Sequence, residues 1–161
     1  MSREILFKAK RKDWRELPKM GWWVEGYVIR DDITGQAFIH AQGNSVNESQ
    51  RIGEEGCLRF FAYEIDPETF CQYTVVPDKN GEGIWEYDIL KSTASEDKRE
   101  WKLWKVVFVD GSFIFTPLAY VEKTRKKLKC EDEVLCKDNV ELYGLERVGN
   151  IFDNPELLGG A

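Results

Sequence analysis

An Asp-Gly pair, Asp110-Gly111, stands between two apolar runs, Lys105-Val106-Val107-Phe108-Val109 and Ser112-Phe113-Ile114-Phe115-Thr116. A type I′ turn needs positive φ at both central residues, which Asp and Gly tolerate, so this is the strongest two-residue hairpin signal in the chain. Both faces of the two runs are apolar. That places the hairpin at the centre of a core, with Trp101 and Trp104 at its margin and Pro117 closing it.

A second stretch, residues 63–90, carries the best turn chemistry. Asp66-Pro67-Glu68-Thr69 and Asp78-Lys79-Asn80-Gly81 separate runs of aromatic and β-branched residues, because Pro presets a turn dihedral and Asn-Gly accepts positive φ. The local reading is a short meander. Strand alternation puts Cys71, Tyr73 and Val75 on one face against Phe70, Gln72 and Thr74. It likewise groups Trp85, Tyr87 and Ile89 against Ile84, Glu86, Asp88 and Leu90. Glu82, Glu86 and Asp88 crowd this corner, either as a solvated acidic strand face or as a general acid/base pair.

Two further hairpin elements precede it. Residues 3–12 alternate, with Ile5, Phe7 and Ala9 opposite Glu4, Leu6, Lys8 and Lys10, a strand whose lysines suit a protected sheet edge. Trp22-Trp23-Val24-Glu25-Gly26-Tyr27-Val28-Ile29-Arg30 reads as a strand anchored in the core by its tryptophans. Asp31-Asp32-Ile33-Thr34-Gly35 then turns it into Gln36-Ala37-Phe38-Ile39-His40-Ala41. Residues 42–56 are polar and read as a loop suited to binding, and residues 57–65 as a strand. Residues 91–100 form a charged loop, residues 134–148 carry weak strand signals, and Asn154-Pro155-Glu156 opens a closing helical turn with Asn154 as its cap. The fold class is therefore mainly β, with antiparallel, barrel-like or strongly twisted sheets built of hairpins, little helix and a short C-terminal helical turn. The 161 residues suit a single domain over 1–161, with a small appended β subdomain as the variant.

The net charge of −6 and pI near 5.0 exclude broad, whole-surface binding to nucleic acid, which needs a positive field. Two local basic segments stand out, residues 8–19 and 123–129. Their candidate nucleic-acid contacts are Lys8, Lys10, Arg11, Lys12, Lys123, Arg125, Lys126 and Lys127. A solvated face neutralised by Glu131, Asp132 and Glu133 is the competing reading of the second segment. Cys57, Cys71, Cys130 and Cys136 have no CxxC pairing and His40 is the lone histidine, so four free thiols are expected over a structural zinc, which a folded cluster of distant cysteines would form, and no cofactor is expected. Nothing at the N-terminus resembles a signal peptide and no apolar span is long enough for a membrane helix, which points to the cytoplasm and to no membrane partner.

Several segments together resemble the YopX-like phage and prophage proteins. The tail Val148-Gly149-Asn150-Ile151-Phe152-Asp153-Asn154-Pro155-Glu156-Leu157-Leu158 is similar to the family's closing motif nearly residue for residue. Ile65-Asp66-Pro67-Glu68-Thr69, Gln72-Tyr73-Thr74 and Asp78-Lys79-Asn80-Gly81 are similar to its central motif, and Arg3-Glu4-Ile5-Leu6-Phe7 to its start. Trp23-Val24-Glu25-Gly26 and Val109-Asp110-Gly111 fit between. Two departures stand out. The family pattern has Gly-Leu where this chain has Val75-Val76, and Glu-Gly-Asp where it has Glu86-Tyr87-Asp88. Loss of the second glycine suggests that no close backbone approach is needed at Tyr87. The resemblance implies a mostly β fold in a phage or prophage setting inside a bacterial host, and no established activity.

Three functional readings follow. The first is a non-enzymatic accessory protein binding another macromolecule, an unknown host or phage protein before nucleic acid, because aromatics abound and no nucleophile, metal or phosphate-loop constellation is visible. The second is a nucleic-acid-binding protein using residues 8–19 and 123–129. The third is an enzyme using Glu86, Asp88 and His40. Self-association through edge strands is a further expectation.

Overall fold

A computed structural model describes residues 5–41, 62–120 and 131–159, and the chain divides into two compact units, one ending at Tyr73 and the other beginning at Thr74. The first unit holds β1 (Phe7–Lys10), β2 (Trp23–Arg30), β3 (Ala37–Ala41), β4 (Ala62–Glu64) and the start of β5 (Cys71–Pro77). They form an antiparallel sheet in the order β4-β3-β2-β1-β5. Its inward face gathers Ala9, Val24, Ile39 and Ile65, with Phe7 stacked on Phe70 at 4.7 Å. The Asp31 turn between β2 and β3 forms as its sequence predicts. Asp31 accepts from the Thr34 hydroxyl and the Ile33 N–H, and these bonds, the hydroxyl first, hold its carboxyl below the usual carboxylate range.

Three expectations change here. β1 is an interior strand between β2 and β5, so its lysines do not guard a sheet edge. Residues 63–90 are not a meander. β4 and β5 lie on opposite sides of the sheet order, because the 3-10 turn Pro67–Thr69 carries the chain from one to the other. Finally, Trp22 and Trp23 are half-buried and lie outside the core cluster. The loop read over residues 42–56, and the strand read over 57–65 except for its end, lie outside the described residues.

The second unit begins within β5, whose later residues pair with β6 (Gly83–Trp85). β7 (Asp88–Ser92), β8 (Lys102–Val109), β9 (Ser112–Tyr120), β10 (Glu133–Val134) and β11 (Leu145–Asn150) form a second antiparallel sheet in the order β10-β9-β8-β7-β11. The Asp110-Gly111 hairpin is present, with φ of 50° and 82° at the two turn residues. Its base, Leu103, Trp104, Val106, Phe113 and Phe115, is buried, and its tip, Phe108 and Val109, is exposed. Trp104 is therefore core and not margin. Pro117 lies inside β9 opposite Trp104, where a register shift accommodates a residue lacking an N–H. Trp104, Phe115 and Tyr143 make a triad of edge-to-face rings with centroids 5.0 to 5.8 Å apart. The two buried rings, Trp104 and Phe115, each contribute roughly 2–3 kcal/mol through burial.

Residues 134–148 contain more than strand. α1 (Lys137–Tyr143) precedes β11 and ends on Gly144 at φ 57°, a left-handed cap. The C-terminal turn, Pro155–Leu158, is 3-10. Neither sheet closes into a barrel among the described residues, so the mainly antiparallel β class is realised as two open sheets. No helix among the described residues is long and apolar enough to cross a membrane.

The two glycine departures acquire a physical meaning in the backbone. Among the described non-glycine residues, positive φ occurs at Val75 (68°), Tyr87 (65°) and Asp110 (50°). Two of the three, Val75 and Tyr87, are the positions where the resemblance implies glycine. Glu86 and Tyr87 form a turn that separates β6 from β7, so the alternation read through residues 84–90 is broken there. At Tyr87 the chain makes a left-handed turn, a conformation that glycine adopts without strain. A β-branched residue in that region is strained by about 1–2 kcal/mol, while glycine adds about 0.5–1 kcal/mol of unfolded-state entropy. Val75→Gly is expected to stabilise the protein by about 0.5–1 kcal/mol, read as a higher urea midpoint at unchanged m-value. Val75→Ala should give no such gain. Tyr87→Gly should gain less, because it also removes an edge-to-face contact with Phe152 at 5.7 Å.

The closing motif is a hydrogen-bonded turn. Asn150, 4% exposed, accepts through Oδ1 from the Phe152 and Asp153 N–H groups and donates through Nδ2 to Asp153. Asn154 does not cap the following turn with its side chain. Its Oδ1 accepts from the Asn150 N–H instead, lying where a β-carbon on Gly149 would stand.

Candidate functional site

The densest chemistry in the first unit lies on β1 and the segment leading to β2. Lys10 is 2% exposed, and its Nζ lies 4.0 Å from the Trp14 ring centre, 4.4 Å from Trp22 and 5.5 Å from Trp23. Two exposed cations continue the series. Arg15 sits over Trp14 at 4.4 Å and Lys19 over Trp22 at 5.8 Å. Trp14 and Trp22 meet edge to face at 4.8 Å. Arg15, Trp14, Lys10, Trp22 and Lys19 therefore form a run of alternating cations and indoles.

Local sequence builds this arrangement. Two 3-10 turns, Trp14–Glu16 and Lys19–Gly21, fold the segment after β1 so that both indoles return over Lys10, directly across from Trp23 in the β1–β2 register. The central motif then fixes the lysine's backbone. Asp66 donates its N–H to the Lys10 carbonyl at 2.8 Å, and Thr69 Oγ1 accepts the Lys10 N–H at 2.8 Å. Asp66 Oδ2 also accepts from the Trp14 indole N–H at 3.3 Å. Burying a lysine head is costly unless it finds compensation, and each cation–π contact supplies about 0.5–2 kcal/mol as it becomes desolvated. The tryptophans read as core anchors thus take a different role.

The four described candidate nucleic-acid contacts divide. Lys8 is 5% exposed with Nζ 5.1 Å from the Trp23 ring, and Lys10 is caged, so neither presents its head to solvent. The alternation of β1 is as expected, but its charged face is covered by indoles. Arg11 pairs with Asp13 at 2.8 Å and stands over Tyr63, and Lys12 pairs with Glu64 at 2.6 Å. Lys123, Arg125, Lys126 and Lys127 lie outside the described residues. The exposed cations of the ladder, Arg15 and Lys19, were legible only as members of a basic segment. The signal that marks them is the pairing of each with a tryptophan one or three positions away.

The acidic corner divides, with Glu82 exposed, Glu86 half-buried and Asp88 buried. Asp88 is fully buried in the second unit, not on a solvated face. Its Oδ2 accepts from the Trp85 N–H at 2.8 Å and from Arg147 Nε at 2.7 Å. Asp78 accepts from the N–H groups of Asn80, Glu82 and Arg147, fastening the Asp78–Gly81 turn to β11. Glu86 lies in the β6–β7 turn, and His40 belongs to the first unit, paired with Tyr27 and Ala62. Cys71 is buried and its thiol donates to the Thr69 carbonyl, while Cys136 precedes α1. No group of three or more His, Cys, Asp or Glu positioned to hold a metal occurs among the described residues.

The family model for the YopX protein matches residues 27–159. That span contains Asp66 and Thr69, which clamp Lys10, and the closing turn, whereas the ladder itself precedes it. A crystal structure of protein EF1440 from Enterococcus faecalis superposes with a TM-score of 0.54 at 23% sequence identity, covering 98% of this chain and 99% of that one. The likeness is one of fold. No curated protein matches the chain.

Proposed function

The chain belongs to the YopX family, and from that membership and the cation–tryptophan ladder we propose that it is a non-enzymatic accessory protein that binds another protein. The ladder carries the reading. Tryptophan and arginine dominate the energetics of protein interfaces, and here Arg15 and Lys19 are exposed beside half-buried indoles, with Met20 99% exposed next to them. Arg15 and Lys19 are the exposed cations of the ladder, so the complementary partner surface is acidic. The caged Lys10 holds the two indoles in place, which limits the side-chain entropy lost on binding. The setting implied by the family is a phage or prophage protein acting in the cytoplasm of its bacterial host.

The same charge supports a second reading, single-stranded nucleic acid on the indoles, since stacking and phosphate neutralisation use these residue types. One experiment separates them. Tagged protein is crosslinked and purified from the bacterial host, with and without nuclease, beside an Arg15→Glu/Lys19→Glu variant whose changes are both on the surface. The expected result is a protein partner that survives nuclease and whose recovery falls about tenfold or more in the variant. Recovery lost to nuclease transfers the ladder to nucleic acid, and recovery equal in the variant removes it as the binding site.

A further inference from the structure

The second unit contains a cleft of about 530 Å³ between the end of β7, the start of β8 and α1, lined by Ser92, Ser95, Arg99, Trp101, Lys102 and Trp104, with Tyr143 beside them. Its size falls within the range of small-molecule sites. Two observations give it chemical character. Trp104 is 3% exposed, and its indole N–H is buried with no hydrogen-bond acceptor among the described residues. By contrast, the Trp101 indole donates to the Ser95 carbonyl at 2.8 Å, and the Ser95 hydroxyl donates to Glu100 at 2.6 Å. A buried donor without an acceptor is rare and needs an explanation. The cleft also draws cations to one wall. Lys91 and Lys98 lie over the Trp101 ring at 5.0 and 5.7 Å, while Arg99, which also donates to Asp97 at 2.6 Å, and Lys102 contribute to the lining beside the carboxylate of Glu100.

We propose that this cleft binds a mononucleotide-class ligand, a flat heterocycle with ring acceptors joined to a phosphate. The half-buried Trp101 ring and Tyr143 supply surfaces for the heterocycle, a ring acceptor meets the Trp104 N–H, and the phosphate lies toward Arg99 and Lys102. Neither the planar part nor the anion alone uses the whole cleft. A free nucleotide and the terminal nucleotide of a single strand share this chemistry. The site lies wholly within the second unit and is independent of the ladder.

The test is an indole N–H titration by 1H–15N NMR on the full chain, which gives one resonance for each of its six tryptophans. Trp104→Phe keeps a ring in the core and assigns the Trp104 signal by its absence. The probes are AMP, GMP, CMP and UMP, the four nucleosides, inorganic phosphate, and a single-stranded tetranucleotide. The expected result is a saturable shift of the Trp104 and Trp101 signals with at least one mononucleotide, with tenfold or weaker binding of its nucleoside and of phosphate. Saturation by the tetranucleotide alone supports the same site and makes a strand end the source. Trp104→Phe and the surface change Arg99→Gln should each weaken binding at least tenfold, and Arg99→Gln carries the test if Trp104→Phe does not fold. No saturable shift with any probe at millimolar concentration overturns the proposal, as does unchanged affinity in a folded Trp104→Phe and in Arg99→Gln.

Discussion

Replacing Arg147 by Met is expected to lower stability by about 3–5 kcal/mol, the cost of leaving a buried carboxylate without its partner. Asp88 has no exposed surface, and Arg147 Nε donates to it at 2.7 Å. Met matches the aliphatic part of the arginine, so packing is largely kept and the loss reports the charge. Part of the carboxylate remains satisfied by the Trp85 N–H, which places the effect below that of a wholly stranded ion. Asp88→Asn on the Arg147→Met background should recover part of the loss, because it removes the uncompensated charge while keeping an acceptor. Urea denaturation followed by tryptophan fluorescence measures all three proteins. A loss under about 1 kcal/mol in Arg147→Met would show that Asp88 does not depend on it.

Gly149→Ala should cost about 2–3 kcal/mol through overpacking. A β-carbon there would lie 2.3 Å from Asn154 Oδ1 and 2.7 Å from its Cγ. The amide can withdraw only by giving up the bond from the Asn150 N–H, so a close contact is exchanged for an unsatisfied donor. A double-mutant cycle with Asn154→Ala checks the cause. In the Asn154→Ala background the cost of Gly149→Ala should fall by more than half, whereas an effect of backbone conformation alone would persist. The family's closing motif is on this account a fold determinant. Gly149 makes room, Asn150 gathers two turn N–H groups, and Asn154 returns to the strand end.

The local chemistry of turns was legible in the chain. Asp110-Gly111, Asp31 with Thr34, Asp66-Pro67 and Asp78 with Asn80 and Gly81 each form where their residues require, because a turn is closed by atoms a few positions apart. The helix at Lys137–Tyr143 was missed, although Gly144 marks its end, because only Val140 of its seven residues is buried and no apolar period shows. The ladder was missed for another reason. Lys8 and Lys10 alternate as polar strand residues should, and alternation does not reveal that the polar face is roofed by tryptophans from the next segment.

By itself, then, the sequence determined the antiparallel β class, the main hairpins, the turn residues and the family, since all are written in neighbouring positions or in motifs met in order. Tertiary structure decided which strands lie inside a sheet, which tryptophans are core, and which charges are buried. It turned Asp88 from an acidic surface residue into the partner of Arg147, 59 positions away, and Lys10 from an edge lysine into the centre of an indole cage clamped by Asp66 and Thr69. Those outcomes depend on contacts between distant segments, whose stabilisation arises only once the loops between them have been closed.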